Sequence, residues 1–239
     1  LAESQEVSKS SSQNAVSITD DRLPNYRDIS DHWLISNPEG YAKWFENRMR
    51  SSGTQVVLNK AQVDNVPLFN MKTPLQRVIQ ILKRHRDQMF ENNDESKPIS
   101  IIISTLAARS YEGELDLKAA LEGILNRMDR YISSRTPRVA NPVNPGEDFA
   151  DRWAMPQYAN LELEQNFRNW LKQARADFQI LFTHRDRDFI GSQLKIKMGI
   201  TLGAVTFDEI LLSVPVIPYS PKIHLIESDS PKPWRSNID

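Results

Sequence analysis

The sequence predicts a mainly α-helical protein, a bundle of about five to six helices with a few short extended segments. Three sets of residues carry that prediction. Leu75, Val78, Ile79, Leu82 and Met89 recur at helical spacing. So do Leu117, Leu121, Ile124, Leu125, Met128 and Ile132, and again Leu163, Phe167, Trp170, Leu171, Ala174, Phe178 and Leu181. Each set lays an apolar stripe along one side of a rod, and only packing against other rods removes that stripe from water.

Residues 1–17 are rich in Ser, Gln, Glu and Lys and are expected to be loosely held. Val16-Ser-Ile-Thr19 reads as a short strand end before the turn-prone Asp20-Asp21. Asn37 and Pro38 form a helix start, a cap followed by a first-turn proline. Tyr41, Trp44, Phe45 and Met49 then make an aromatic stripe expected in the core, and residues 50–72 read as a connector.

The next helix opens on Thr73 and Pro74 and ends near Asn92-Asn93-Asp94. Gln76, Gln80, Lys83 and Asp87 share one of its faces, while Arg77, Arg84, His85 and Arg86 crowd the same turns. From Pro98 an Ile-rich run favours a strand by β-branching, whereas Leu106-Ala-Ala-Arg109 favours a helix. A helix explains what a strand does not. Ser100, Ser104, Ala107 and Tyr111 fall at i, i+4, i+7 and i+11, a stripe of small residues ending in a ring. Such a stripe serves close helix packing or leaves room for a ligand, and both readings stand. Pro137, Pro142 and Pro145 break up a loop that returns at Asp148 to a short helix through Trp153. Past Asp188 the periodicity weakens around Gly191, Gly199 and Gly203, and Leu211 to His224 looks extended.

The length of 239 residues allows one large or two small domains, and the formal charge of −1 argues against an overall basic nucleic-acid binder. Cysteine is absent, which excludes disulfides and thiolate metal sites. No apolar run spans a bilayer and no signal peptide is visible, so a cytoplasmic protein without a membrane partner is expected. The chain begins at Leu1 rather than Met, as expected of a fragment or a processed product.

Three blocks, in order, carry a family likeness. They are Lys72 to Phe90, Lys97-Pro-Ile-Ser-Ile-Ile-Ile-Ser-Thr-Leu-Ala-Ala-Arg-Ser-Tyr111, and Val139-Ala-Asn-Pro-Val-Asn-Pro-Gly-Glu-Asp-Phe-Ala-Asp-Arg-Trp153. With the preceding His32-Trp…Ser36-Asn-Pro…Trp44-Phe45 passage, they resemble the C-terminal half of bacterial cGAS/DncV-like nucleotidyltransferases, relatives of oligoadenylate synthase, from about Ile18 to about Leu181. That resemblance implies an oligoadenylate-synthase-like helical domain. Residues 1–35 would be a lead and connector from a catalytic domain, 36–189 the helical domain of a nucleotide cleft, and 190–239 a C-terminal extension. It also implies a cyclic-oligonucleotide synthase that joins nucleoside triphosphates, ATP among them, into a second messenger for anti-phage defence of the CBASS type.

Nucleotidyl transfer of this kind uses two Mg²⁺ or Mn²⁺ ions held by paired carboxylates, beside a Gly-Ser turn on the triphosphate. Gly191-Ser192 has no Asp-x-Asp after it. Val63-Asp-Asn-Val-Pro67 imitates a carboxylate strand but follows the Trp-Phe helix, whereas the family's strand precedes it. The α/β catalytic core is therefore expected to be largely absent, with no catalytic residue and no metal ligand in this chain. A catalytic N-terminal domain or separate chain becomes its expected partner.

The resemblance places Lys83 at the family's triphosphate-contacting lysine and Ser100 at its phosphate-contacting serine. Animal relatives stack a base on a tyrosine beside that serine; Ile101 stands here instead, with Tyr111 a weak substitute. Arg84, Arg86, Ser104 and Tyr111 complete the candidate cleft, although pairing with Asp87, Glu91 or Asp151 is the plainer role for the arginines. His85 makes no metal-ligand spacing. The alternative functions are a non-catalytic module that senses a nucleotide or binds a partner, and a bundle with no ligand at all.

Overall fold

The computed structural model describes residues 15–18, 26–28, 34–50, 73–184 and 186–199. The readings made of residues 1–14, of Asp20-Asp21 and His32-Trp33, of the connector 50–72 beyond Arg50 with its Val63–Pro67 segment, and of residues 200–239 lie outside them. Six helices form the described body: α1 (Pro38–Arg50), α2 (Pro74–Met89), α3 (Ser100–Ser110), α4 (Leu117–Arg127), α5 (Leu163–Thr183) and α6 (Arg187–Met198). Two small antiparallel pairs accompany them, β1 (Val16–Ile18) with β2 (Leu34–Ser36), and β3 (Ala140–Asn141) with β4 (Asn144–Asp148). The fold is a helical bundle, as the periodicity predicts.

The helix starts follow local chemistry. The Asn37 side-chain oxygen accepts from the Gly40 amide at 2.9 Å and starts α1. Thr73 accepts from the Gln76 amide at 3.3 Å while the Gln76 side chain accepts from the Thr73 amide at 2.9 Å, a reciprocal cap ahead of Pro74. Asp116 caps α4 through the Ala119 amide at 2.9 Å, and Asp186 caps α6. Substituting such a cap by Ala costs about 1 kcal/mol.

Helix α2 is the axis of the bundle and packs against α3, α4, α5 and α6. Its inward face holds Leu75, Val78, Ile79 and Leu82, all buried. Met89 is in phase with them but lies in the last turn and is 43% exposed; His85, Arg86 and Phe90 continue the buried face instead. Helix α3 buries Ile102, Ile103, Leu106, Ala107 and Ala108, so burial on several sides overrides the strand preference of its isoleucines. Phe167 and Trp170 of α5 are fully buried, with ring centroids 5.5 Å apart. Each such side chain contributes roughly 1.5–3 kcal/mol on burial.

Several expectations need correction. The Tyr41–Met49 stripe of α1 faces inward, toward α3 and Phe149, but stays partly exposed. Helix α4 stops at Arg127 and passes into a 3-10 turn at Met128–Tyr131, leaving Ile132 beyond it. The Pro-broken loop contains the β3–β4 hairpin, and the segment through Trp153 is a single 3-10 turn, Asp151–Trp153. Helix α6 places Ile190, Leu194 and Met198 in the core. No helix among the described residues is long and apolar enough to cross a membrane.

Candidate functional site

The two ends of α3 are finished differently. At its C-terminus, Arg48 of α1 donates Nε to the Ala108 carbonyl at 2.8 Å and Nη2 to the Tyr111 carbonyl at 2.6 Å. Arg127 of α4 donates Nε to the Ser110 carbonyl at 2.8 Å and pairs with Glu114. Carbonyls that the helix leaves bare are thus met by fixed cations, which also match the negative end of its dipole. At the N-terminus, Ile99 provides no side-chain cap and the first turn holds no acid. The amides of that turn have no intrahelical acceptor, so the positive end of the dipole opens beside Ser100, which is exposed.

Arg86 ties this end to α2. Its Nη1 donates to the Pro98 carbonyl at 2.9 Å and to Ser100 Oγ at 3.0 Å, while Nη2 and Nε donate to Asp87 at 2.6 and 3.0 Å. Four of its five N–H donors are therefore engaged, and the side chain is 7% exposed. It positions Ser100 more than it offers charge to a ligand. Because Ser100 Oγ accepts from a cation, its own proton is left to donate, which suits an anionic oxygen.

Lys83 stands one turn before Asp87 on α2, half-buried, with no hydrogen bond or ion pair among the described residues. Burial lowers its pKa, the neighbouring Arg86 charge lowers it further, and Asp87 partly opposes both. A bound anion would relieve that cost. Arg86 thus ties Ser100 to α2, and Lys83 lies near enough to Arg86 to feel its charge.

The remaining candidates lie elsewhere or do other things. Arg84 points to α6, donating Nε to the Met198 carbonyl at 2.7 Å and Nη2 to the Gly199 carbonyl at 3.4 Å. Ser104 gives its hydroxyl proton to the Ser100 carbonyl at 2.8 Å, one turn back along its own helix. Tyr111 is fully buried and donates its hydroxyl to the Glu114 carbonyl at 2.8 Å, so its ring is core and not a platform for a base. The small-residue stripe divides accordingly: open at Ser100, packed at Ala107 and Tyr111. In the Asn141 loop, Asn141 accepts from the Val143 amide at 3.0 Å and holds its own turn.

Sequence reasoning missed Arg48 and Arg127, since nothing in one sequence says which arginine reaches a distant helix end. It also missed the partners of His85. The Trp170 indole donates to His85 Nδ1 at 3.1 Å, and His85 Nε2 lies 3.0 Å from Asp177 Oδ2, joining α2 to α5. No group of three or more His, Asp or Glu side chains that could hold a metal ion occurs among the described residues. No metal-dependent step is assigned to them.

No family model matches the chain. It is 34% identical to a c-di-GMP synthase of Roseivirga ehrenbergii, over 64% of this chain and 43% of the relative. Among solved structures it is similar to the CD-NTase CdnG of Bradyrhizobium diazoefficiens in complex with GTP, with a TM-score of 0.51 and 20% identity over 70% of this chain and 53% of the other. The chain thus spans about half the length of the proteins it matches.

Proposed function

We propose that this chain, a relative of the bacterial cGAS/DncV-like nucleotidyltransferases, is the substrate-binding helical half of a cyclic-oligonucleotide synthase. In this reading the open end of α3 receives the phosphates of a nucleoside triphosphate. Lys83 supplies the mobile charge, Ser100 donates its hydroxyl proton, and the first-turn amides complete the cradle. Arg86 holds Ser100 in place. The observation that carries the proposal is the contact of Arg86 with Ser100, at a helix N-terminus without a side-chain cap, near a Lys83 that has no hydrogen bond or ion pair among the described residues.

The reacting metals, Mg²⁺ or Mn²⁺, and the carboxylates that hold them belong to a catalytic half outside the described residues. Exposed Val16, Ile18 and Ile35 on the β1–β2 pair support such a neighbour, since these two strands have no third partner among the described residues and such a pair is marginal in water. GTP is the first substrate to test, given the c-di-GMP synthase relative and the GTP bound by the structural neighbour. A role in anti-phage signalling follows from the same reading.

The test combines this chain with a catalytic half, as a joined domain or a separate chain, and supplies GTP, ATP and Mg²⁺ or Mn²⁺. Phosphatase-resistant oligonucleotides are expected, with at least tenfold less from Lys83→Ala, about the 1.4 kcal/mol that one lost charged contact is worth. Unchanged yield from Lys83→Ala would remove that lysine from the site. Nucleotide binding without product from any mixture would favour the sensing module.

A further inference from the structure

A second concavity lies between the end of α4 and the outer face of α5, and it shares no residue with the patch at Ser100. It is a broad hollow open to solvent, about 600 Å³ in volume and lined by Asn126, Asp129, Arg130, Arg168 and Arg175. That volume falls within the range of small-molecule sites and is far larger than a bare phosphate needs. Three of its five lining groups are guanidinium ions, whose planar forks match phosphate oxygens.

Two of these arginines are held in place by contacts that leave donors to spare. Arg175 gives Nε to the Leu125 carbonyl at 2.8 Å and Nη2 to Asp129 Oδ1 at 2.9 Å. Arg168 gives Nε and Nη2 to Glu164 at 3.0 and 2.7 Å. In both, Nη1 makes no hydrogen bond among the described residues. Arg130 is exposed and makes no hydrogen bond among them, and its charge acts on the neighbouring Asp129. Glu164 is shared with Arg138, so it neutralises Arg168 only in part. Alongside the cations, Asn126 and the second oxygen of Asp129 offer acceptors that a plain polyanion would not use.

We infer that this α4–α5 concavity is a separate binding site for a small phosphorylated ligand of nucleotide size. Its phosphates would meet Arg130, Arg168 and Arg175, and its hydroxyl or amino groups would face Asn126 and Asp129. The inference does not depend on the catalytic reading, because it uses none of the same residues.

Calorimetric titration of the 239-residue chain with ADP tests it, in a Lys83→Ala background that weakens the first patch. ADP should still bind, and inorganic pyrophosphate should compete. Arg130→Ala with Arg168→Ala should weaken ADP at least about tenfold, and Arg130→Glu should weaken it more. Both arginines are exposed, so melting curves should match the parent. A control that removes two exposed cations elsewhere, Lys43→Ala with Lys195→Ala, should change affinity less than about twofold. Equal weakening in the control, unweakened binding in the arginine variants, or no ADP binding in the Lys83→Ala chain would each overturn the inference.

Discussion

Nη1 of Arg86 and Oγ of Ser100 are 3.0 Å apart, and through that contact α2 decides where the Ser100 hydroxyl points. The two residues should therefore separate in their effects. Ser100→Ala removes an exposed hydroxyl, so stability should change by less than about 0.5 kcal/mol while triphosphate affinity falls several-fold. Arg86→Ala also strips Asp87 and the Pro98 carbonyl of their donor and should cost about 1–3 kcal/mol of stability. Arg86→Lys keeps the charge without the fork and should fall between the two. Urea melts and triphosphate titrations of the three variants check this. Equal destabilisation by Ser100→Ala and Arg86→Ala would mean that the contact is structural only.

The buried His85 gives a pH prediction. Trp170 Nε1 can only donate, so His85 Nδ1 is its bare nitrogen and Nε2–H donates to Asp177. Asp177 also receives Gln173 at 2.9 Å and Lys197 at 3.2 Å. Burial holds the imidazole below its ordinary value; the hydrogen bond and charge of Asp177 oppose that, and Lys197 adds to it. The unfolded chain therefore takes the proton first as pH falls. Stability should be intact above the ordinary histidine value near 6.5 and decline as pH drops through it toward the lower folded value. Melts from about pH 8 to about pH 5.5 should show that decline. His85→Gln, which can accept from Trp170 and donate to Asp177 without titrating, should flatten it. The same slope in His85→Gln would assign the titration to another group.

Tyr111 tests the limit of the cleft. Its ring packs in the core and its hydroxyl serves the Glu114 carbonyl. Tyr111→Phe should cost about 0.5–1.5 kcal/mol, the worth of one hydrogen bond, and leave triphosphate affinity unchanged. A drop in affinity without a drop in melting temperature would return the ring to the site.

What the sequence reveals here follows from what is local. Thr73-Pro74, Asn37-Pro38 and the Leu75–Leu82 spacing act within a turn or two of chain, so helices α1 and α2 are legible at their starts. Met89 and Ile132 were misplaced because periodicity says which face is apolar but not how far a neighbour extends to cover it. Arg86 and Ser100 are fourteen residues apart; the family likeness points to Ser100 with Lys83, and neither it nor periodicity gives the contact with Arg86. His85 and Asp177 are 92 apart, on helices whose contact no local rule predicts, and so the buried pair went unread. The α3 end is half legible: the missing cap at Ile99 is visible in sequence, while the arginines that finish its other end come from α1 and α4.

Lys83 and Arg84 are adjacent, yet about 100° of helix turns their side chains to different sides of α2. Arg84 meets the carbonyls at the end of α6, where Gly199 takes a left-handed φ of 59°. A methyl group at Gly199 would stand 2.5 Å from the Gln88 side-chain oxygen and 2.9 Å from Arg84 Nη2. Gly199→Ala should therefore cost about 1–2 kcal/mol, joining backbone strain to displacement of the capping arginine. Arg84→Ala should cost about 1 kcal/mol and leave triphosphate affinity within about twofold of the parent. The double variant should lose less than the sum of the two, because both act on one cap. Melts of the two single variants and the double variant, with parallel triphosphate titrations, read all three outcomes. Strict additivity, or a loss of affinity in Arg84→Ala as large as in Lys83→Ala, would place Arg84 on the ligand instead of on α6.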